Sequence, residues 1–268
     1  MADVGDFWKA HTHNLERMSM DELARAYFTY PAIQVYVVLA AIAIALAGRF
    51  AAPLWRLGLA ALLAGLVYPL AWYLLHRFVL HGRFLYRSRW TAATWKRVHF
   101  DHHQNPNDLR VLFGAPYTTL PTVALVTMPL GWLVGGPGAA AAALATGLLM
   151  TCFYEFCHCV QHLGYMPKSA FLRRIKRLHL AHHFHCETGN YGITNYFWDR
   201  LFGSFYARVQ DVPQSPTVFN LGYAAAEAER FPWVQRLSNG NRGGGDPQPF
   251  GGGGPESIAN DGFRPTGT

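Results

Sequence analysis

Three stretches of the chain, 26–48, 57–75 and 111–154, carry no Asp, Glu, Lys or Arg. A helix crosses a bilayer with about 20 apolar residues, whereas apolar runs of about 10 to 14 fit the buried core of a soluble protein. The first two stretches are each one span long. The third is long enough for two, and Gly135-Gly136-Pro137-Gly138 near its middle is a turn signal. The pattern predicts an all-α, four-span integral membrane helical bundle, with spans near 32–48, 57–78, 118–134 and 139–160. The 81–117 segment and the segments after the last span are expected to form a cytoplasmic helical cap. Ahead of the first span, Ser19 and Glu22 have capping-box spacing, which predicts a short interfacial helix. The Gly-, Pro- and Asn-rich stretch 238–268 cannot bury enough apolar surface to order itself and reads as a disordered tail. The expected divisions are 1–30 interfacial, 31–210 membrane catalytic, 211–237 a C-terminal cap segment, and 238–268 tail.

Composition agrees with a membrane protein: 51% of residues are hydrophobic and 15% charged. The net charge of +7 is uneven. Arg83, Arg87, Arg89, Lys96, Arg97 and Arg110 fall in 81–117, and eleven more Lys and Arg follow the last span. Only Arg49 and Arg56 lie between the first two spans. The positive-inside bias therefore puts both termini and the 81–117 loop in the cytoplasm. Basic residues beside spans argue against a nucleic-acid partner and suit anionic lipid head groups. Cys152, Cys157, Cys159 and Cys186 read as small buried hydrophobes in a reducing compartment, not as ligands. The charged first 25 residues do not form a cleavable signal peptide.

Ten of the thirteen histidines fall in four clusters: His76 and His81; His99, His102 and His103; His158 and His162; His179, His182 and His183. His11 and His13 fit none and read as surface residues. Imidazole is the commonest metal ligand, and one tetrahedral metal takes four ligands. Ten histidines therefore point to two metals. Within three clusters the rings lie three or four residues apart, on one helical face. His76 and His81 are five apart, roughly 140° out of register, so the helix is expected to end at Gly82 with the loop turning His81 inward. The predicted topology brings all four clusters to the same membrane side. Histidine beside spans is costly and functional by default.

All-imidazole ligation suits zinc, copper, iron or nickel. Glu155 and His158 form a single Glu-x-x-His, short of the repeated motif of carboxylate-bridged di-iron bundles. Glu155 is expected as a hydrogen-bond partner behind a ligand, or as a helix-end charge. There is no His-Glu-x-x-His for a zinc protease and no Gly-x-Gly-x-x-Gly for a nicotinamide or flavin cofactor.

The phrases around the clusters are WYLLHRFVLH at 72–81, HFDHHQNP at 99–106, RLHLAHHF at 177–184 and NYGITNYFWDRLFGSF at 190–205. Over about 60–210 the chain resembles the fatty acid hydroxylase/sterol desaturase superfamily of membrane histidine-box oxygenases. The step from His76 to His81 and the phrase FWDRLFG are most similar to the fatty acid 2-hydroxylase branch.

That resemblance implies a non-haem di-iron centre on the ten clustered histidines, with zinc able to replace iron on purification. It implies O2 as co-substrate, a lipid substrate, and a hydroxyl inserted into a C–H bond of a fatty acyl chain. The branch suggests carbon 2 of a free or amide-linked fatty acid. Two electrons come from a separate cytoplasmic-side donor of cytochrome or ferredoxin type, because the residues before the first span are too few for a fused one. A bacterial inner membrane is the expected location, or the endoplasmic reticulum in a eukaryote. Competing readings are a sterol or carotenoid hydroxylase or desaturase and, in another class, a zinc-binding membrane protein or transporter. His185 is either a further ligand or a surface group. Asn190 and Tyr191 are expected to shape the pocket, Tyr191 by a hydrogen bond or by packing. Phe197, Trp198, Leu201 and Phe202 read as packing, or as an apolar wall.

Overall fold

The computed structural model describes residues 14–50 and 52–239, and among them every regular element is helical. His11, His13 and nearly all of the expected tail lie outside the described residues. Helix α1, Met20–Thr29, starts at the expected capping box: the Ser19 N–H donates to Glu22 and the Glu22 N–H to the Ser19 hydroxyl. Leu23, Ala26 and Tyr27 form its buried face, and the Tyr27 hydroxyl donates to the Cys152 carbonyl at 2.5 Å.

Three helical stretches are long and apolar enough to cross a membrane: Pro31–Arg49, Leu54–Leu80 and Leu109–Gln161. The first is α2, with proline at its first turn, where a missing N–H costs nothing. The second is α3, Leu54–Leu74, continued by a π-helical turn over Leu75–Leu80. Between α3 and the last long stretch come α4, Ala92–Trp95; a second π turn, Lys96–Phe100; α5, Asp101–Gln104; and α6, Leu109–Leu112.

Helix α7, Pro116–Gln161, breaks at Gly135 and at Gly136, whose φ of 69° favours glycine. A Cβ on Gly131 would lie 2.3 Å from the Ala139 carbonyl, so the two halves fold back on each other. The turn expected at 135–138 is therefore present, and helix resumes within it at Pro137. Ala60 and Ala64 of α3 meet Ala139 and Ala143 of α7, small residues that let the backbones approach. The outward residues, among them Leu62, Leu125, Leu133 and Leu149, are exposed and apolar, as a lipid-facing surface requires.

Helix α8, Ala170–Phe184, α9, Phe197–Leu201, α10, Ala225–Arg230, and α11, Trp233–Asn239, complete the described residues. A satellite core joins Tyr86, Trp95 and Phe100 to Tyr223, Ala228 and Val234, seating the last helices on the 85–100 segment.

Candidate metal centre

The four clusters converge. Their ring nitrogens form three overlapping groups able to hold metal: His76, His81, His99 and His103; His102, His158, His162, His179 and His183; and His103, His182 and His183, which joins the other two. His182 sides with the first group, its ring 5.0, 4.8 and 5.2 Å from those of His76, His81 and His103. The rings of His183 and His179 lie farther from it, at 5.4 and 5.9 Å, and placing His182 by ring distance divides the ten into two sets of five. They abut, since the rings of His103 and His183 are 4.2 Å apart.

Local winding explains the division. His99 and His103 are four residues apart and share the first set; His179 and His183, also four apart, share the second. His102 and His182, each one residue before its neighbour, are turned roughly 100° away and fall in the opposite set. The sequence placed each triplet on one face, and the structure splits both. His81 arrives by a route different from the expected loop. The π turn closes with the His81 N–H on the His76 carbonyl at 3.1 Å, a five-residue step, so the five-residue spacing becomes one face. The imidazole Nε2 atoms of His76 and His81 are 3.2 Å apart, and those of His81 and His99 2.8 Å.

Nine of the ten rings are buried. Burial first, then neighbouring imidazoles, hold His81, His99 and His102 well below the ordinary histidine range. The rings are therefore neutral, the form that binds metal. Three rings of the first set are fixed from behind. The Nδ1–H groups of His76, His103 and His182 donate to the carbonyls of Tyr191, Val218 and Gly189 at 2.6, 3.1 and 2.7 Å. A carbonyl only accepts, so each Nε2 carries the ring's lone pair, that of His76 turned toward Nε2 of His81. Nε2 of His103, His158 and His182, and both nitrogens of His102 and His183, are buried without a partner. Unpaired buried polar atoms are costly, and imidazole nitrogens gathered in this way fit metal ions.

Behind the second set, the Lys176 ammonium donates to the Gln161 carbonyl at 3.1 Å and also to that of Leu163, pinning the backbone on either side of His162. Burial lowers Lys176 to about 8. Glu155 is buried, but its carboxylate accepts the Gly114 N–H at 3.0 Å and bonds no histidine ring. The His185 ring bonds the Val212 carbonyl at 2.9 Å and joins neither set. Tyr191 packs its ring 5.1 Å from His81, and its carbonyl, not its hydroxyl, meets the site. Asn190 is buried with φ 53° and brackets the Tyr206 backbone. No cysteine belongs to either group among the described residues. Sequence reasoning missed Lys176, Asp199 and the three carbonyls. The carbonyls carry no side-chain signal, and Asp199 was hidden in a phrase read for its aromatics.

Span-length helices and a buried cluster made of histidine alone define a helical membrane-type protein whose centre suits metal. The chain belongs to the fatty acid hydroxylase family, whose profile matches residues 61–204. It is accordingly an oxidoreductase of the hydroxylase class. It is 30% identical over 200 residues to the dihydroceramide fatty acyl 2-hydroxylase FAH2 of Arabidopsis thaliana, covering 74% of this chain and 77% of that one. It is 32% identical over 149 residues to the ceramide very long chain fatty acid hydroxylase SCS7 of Saccharomyces cerevisiae, covering 52% of this chain but 36% of that one. The solved structure of full-length Scs7p, in which only the hydroxylase domain is visible, superposes with a TM-score of 0.59 at 26% identity, over 70% of this chain and 69% of that one.

Proposed function

We propose that this chain is a membrane di-iron monooxygenase that hydroxylates carbon 2 of a fatty acyl chain, free or amide-linked. The observation that carries the reading is the pair of five-histidine sets with partnerless buried ring nitrogens. His76, His81, His99, His103 and His182 would hold one iron, and His102, His158, His162, His179 and His183 the other. Bound iron would supply the O2 activation that an unactivated C–H bond requires. One oxygen atom enters the C–H bond and the other leaves as water, using two electrons from a separate cytoplasmic-side donor of cytochrome or ferredoxin type and two protons from solvent.

The protein's part is to bind, orient and exclude water. A narrow cleft lined by Pro69, Trp72, Tyr73, Tyr154, Tyr191 and Ile193, with Thr194 and Asn195 at its polar side, lies beside the first set; it has room for about one water and would have to widen to admit an acyl chain. Tyr191 forms both cleft wall and histidine support, which couples chain position to ring position. Residues 31–210 are the catalytic unit in this reading. In this reading α7 crosses twice and the bundle four times, with the histidines and both termini cytoplasmic; the fold-back at Gly135–Gly136 supports the double crossing. The relatives' names, dihydroceramide acyl 2-hydroxylase and ceramide hydroxylase, support an amide-linked acyl substrate.

Lipid mass spectrometry of a host expressing the chain tests this. A 2-hydroxyacyl lipid should appear with the wild type and fall at least about 100-fold in both His102→Ala and His182→Ala, one from each set. A hydroxylipid that persists in both variants refutes the assignment. An unsaturated product in place of the hydroxylated one replaces it with desaturation.

A further inference from the structure

The loop Gly189–Gly192 lends two carbonyls to the first histidine set, and two side chains lock that loop. Asp199 is 0% exposed. Its carboxylate accepts the Tyr191 N–H at 2.8 Å, the Gly192 N–H at 2.9 Å and the Ser204 hydroxyl at 2.9 Å. Asn190, also 0% exposed, donates its amide to the Tyr206 carbonyl at 3.0 Å and accepts the Tyr206 N–H at 3.1 Å. The chain is drawn in so closely that a Cβ on Gly192 would lie 2.0 Å from the Asn195 carbonyl, and one on Gly189 2.6 Å from the Ser204 carbonyl. The carbonyls between these anchors, Gly189 and Tyr191, hold Nδ1 of His182 and His76.

The rings of the second set have no such carbonyls behind them; Lys176 holds the backbone beside His162 instead. Both nitrogens of His102 and of His183, and Nδ1 of His162 and His179, are without a partner. Among the described residues, the backbone carbonyls that bond clustered histidine rings all serve the first set.

We propose that Asp199 and Asn190 are positioning residues for the first histidine set alone: through the Gly189 and Tyr191 carbonyls they fix which nitrogen of His182 and His76 faces the metal, leaving the second set independent of them. The inference rests on the two-metal reading. Groups behind a ligand typically change metal affinity about 10- to 100-fold. Asp199→Asn keeps volume but turns an N–H donor toward the loop's own N–H groups. Asn190→Asp keeps volume but sets a carboxylate against the Tyr206 carbonyl.

The test is iron stoichiometry and Mössbauer spectroscopy on the purified full chain, loaded anaerobically with 57Fe(II). Tyr196→Phe serves as control. It removes a buried hydrogen bond of the same segment, from the Tyr196 hydroxyl to the Ile175 carbonyl, away from the loop. The wild type and the control should bind about two irons. Asp199→Asn and Asn190→Asp should each bind one iron normally and the other about 10- to 100-fold more weakly, with the coupled-pair spectrum replaced by that of a single iron. If either variant fails to fold, the other decides. Two tight irons with an unchanged spectrum in the folded variants overturn the proposal. Equal iron loss in Tyr196→Phe does the same, because general loosening then explains the effect. A wild type that takes up no iron refutes the two-metal reading itself, and the proposal with it.

Discussion

At the scale of single residues, the site works by leaving imidazoles neutral and unpaired in a place where protons and water would otherwise claim them. His103 and His182 are held down to about 3, by burial first and neighbouring histidines second, against an ordinary 6.5. The unfolded chain takes up these protons near 6.5 and the folded chain only near 3. The stability of the metal-free protein is therefore full above 6.5 and falls as pH drops from 6.5 toward 3. Each such ring costs about 1.4 kcal/mol per pH unit across that window. Thermal melts of metal-free protein in detergent should show a steep loss between pH 6.5 and 5, and a flat profile would contradict this burial. The residue types of the site were open to inspection from the start, because histidine at helical spacing is a side-chain signal. The supports behind them were not: a carbonyl of Gly189 or Val218 looks the same in every sequence.

At the scale of elements, the two π turns do what the α-helical period cannot. A straight α-helix would set His76 and His81 roughly 140° apart. Widening over Leu75–Leu80 returns them to one face, and the second widening, Lys96–Phe100, carries His99 toward His81. One alanine inserted after Phe78 should carry His81 about 100° further round. Iron bound per chain should then fall from about two to about one, read by the same stoichiometry assay, with the second set intact. Full iron binding would mean that the turn relaxes to absorb the extra residue. Sequence periodicity marked this pair as the poorest fit to a helix face, and the misfit was the visible trace of the π turn.

At the scale of the molecule, the helical bundle brings the ends of α3 and α7 together, so that histidines separated by about a hundred positions share one centre. The hairpin at Gly135–Gly136 makes this possible by folding the second half of α7 back along the first. Single cysteines labelled in intact vesicles test the arrangement. A cysteine at Gly136 should react with an impermeant reagent on one face only, and cysteines at Ser88 and Arg177 on the opposite face only. Labelling of all three from the same side would overturn the four-crossing topology and the shared side of the histidines.

The sequence by itself determined the helical class, the span-length apolar runs, the turn near residue 135 and the ten clustered histidines. Each of these is written in local composition or spacing, and local energetics set them. Tertiary structure alone decided how those histidines divide. Membership in a set depends on the rotation of each helix and the approach of segments distant in the chain. It also decided that Tyr191 acts through its carbonyl, that Glu155 turns to Gly114, and that Asp199 holds the loop behind the first set. Those contacts are fixed by which backbone groups burial leaves needing partners, and that need exists only once the chain has packed.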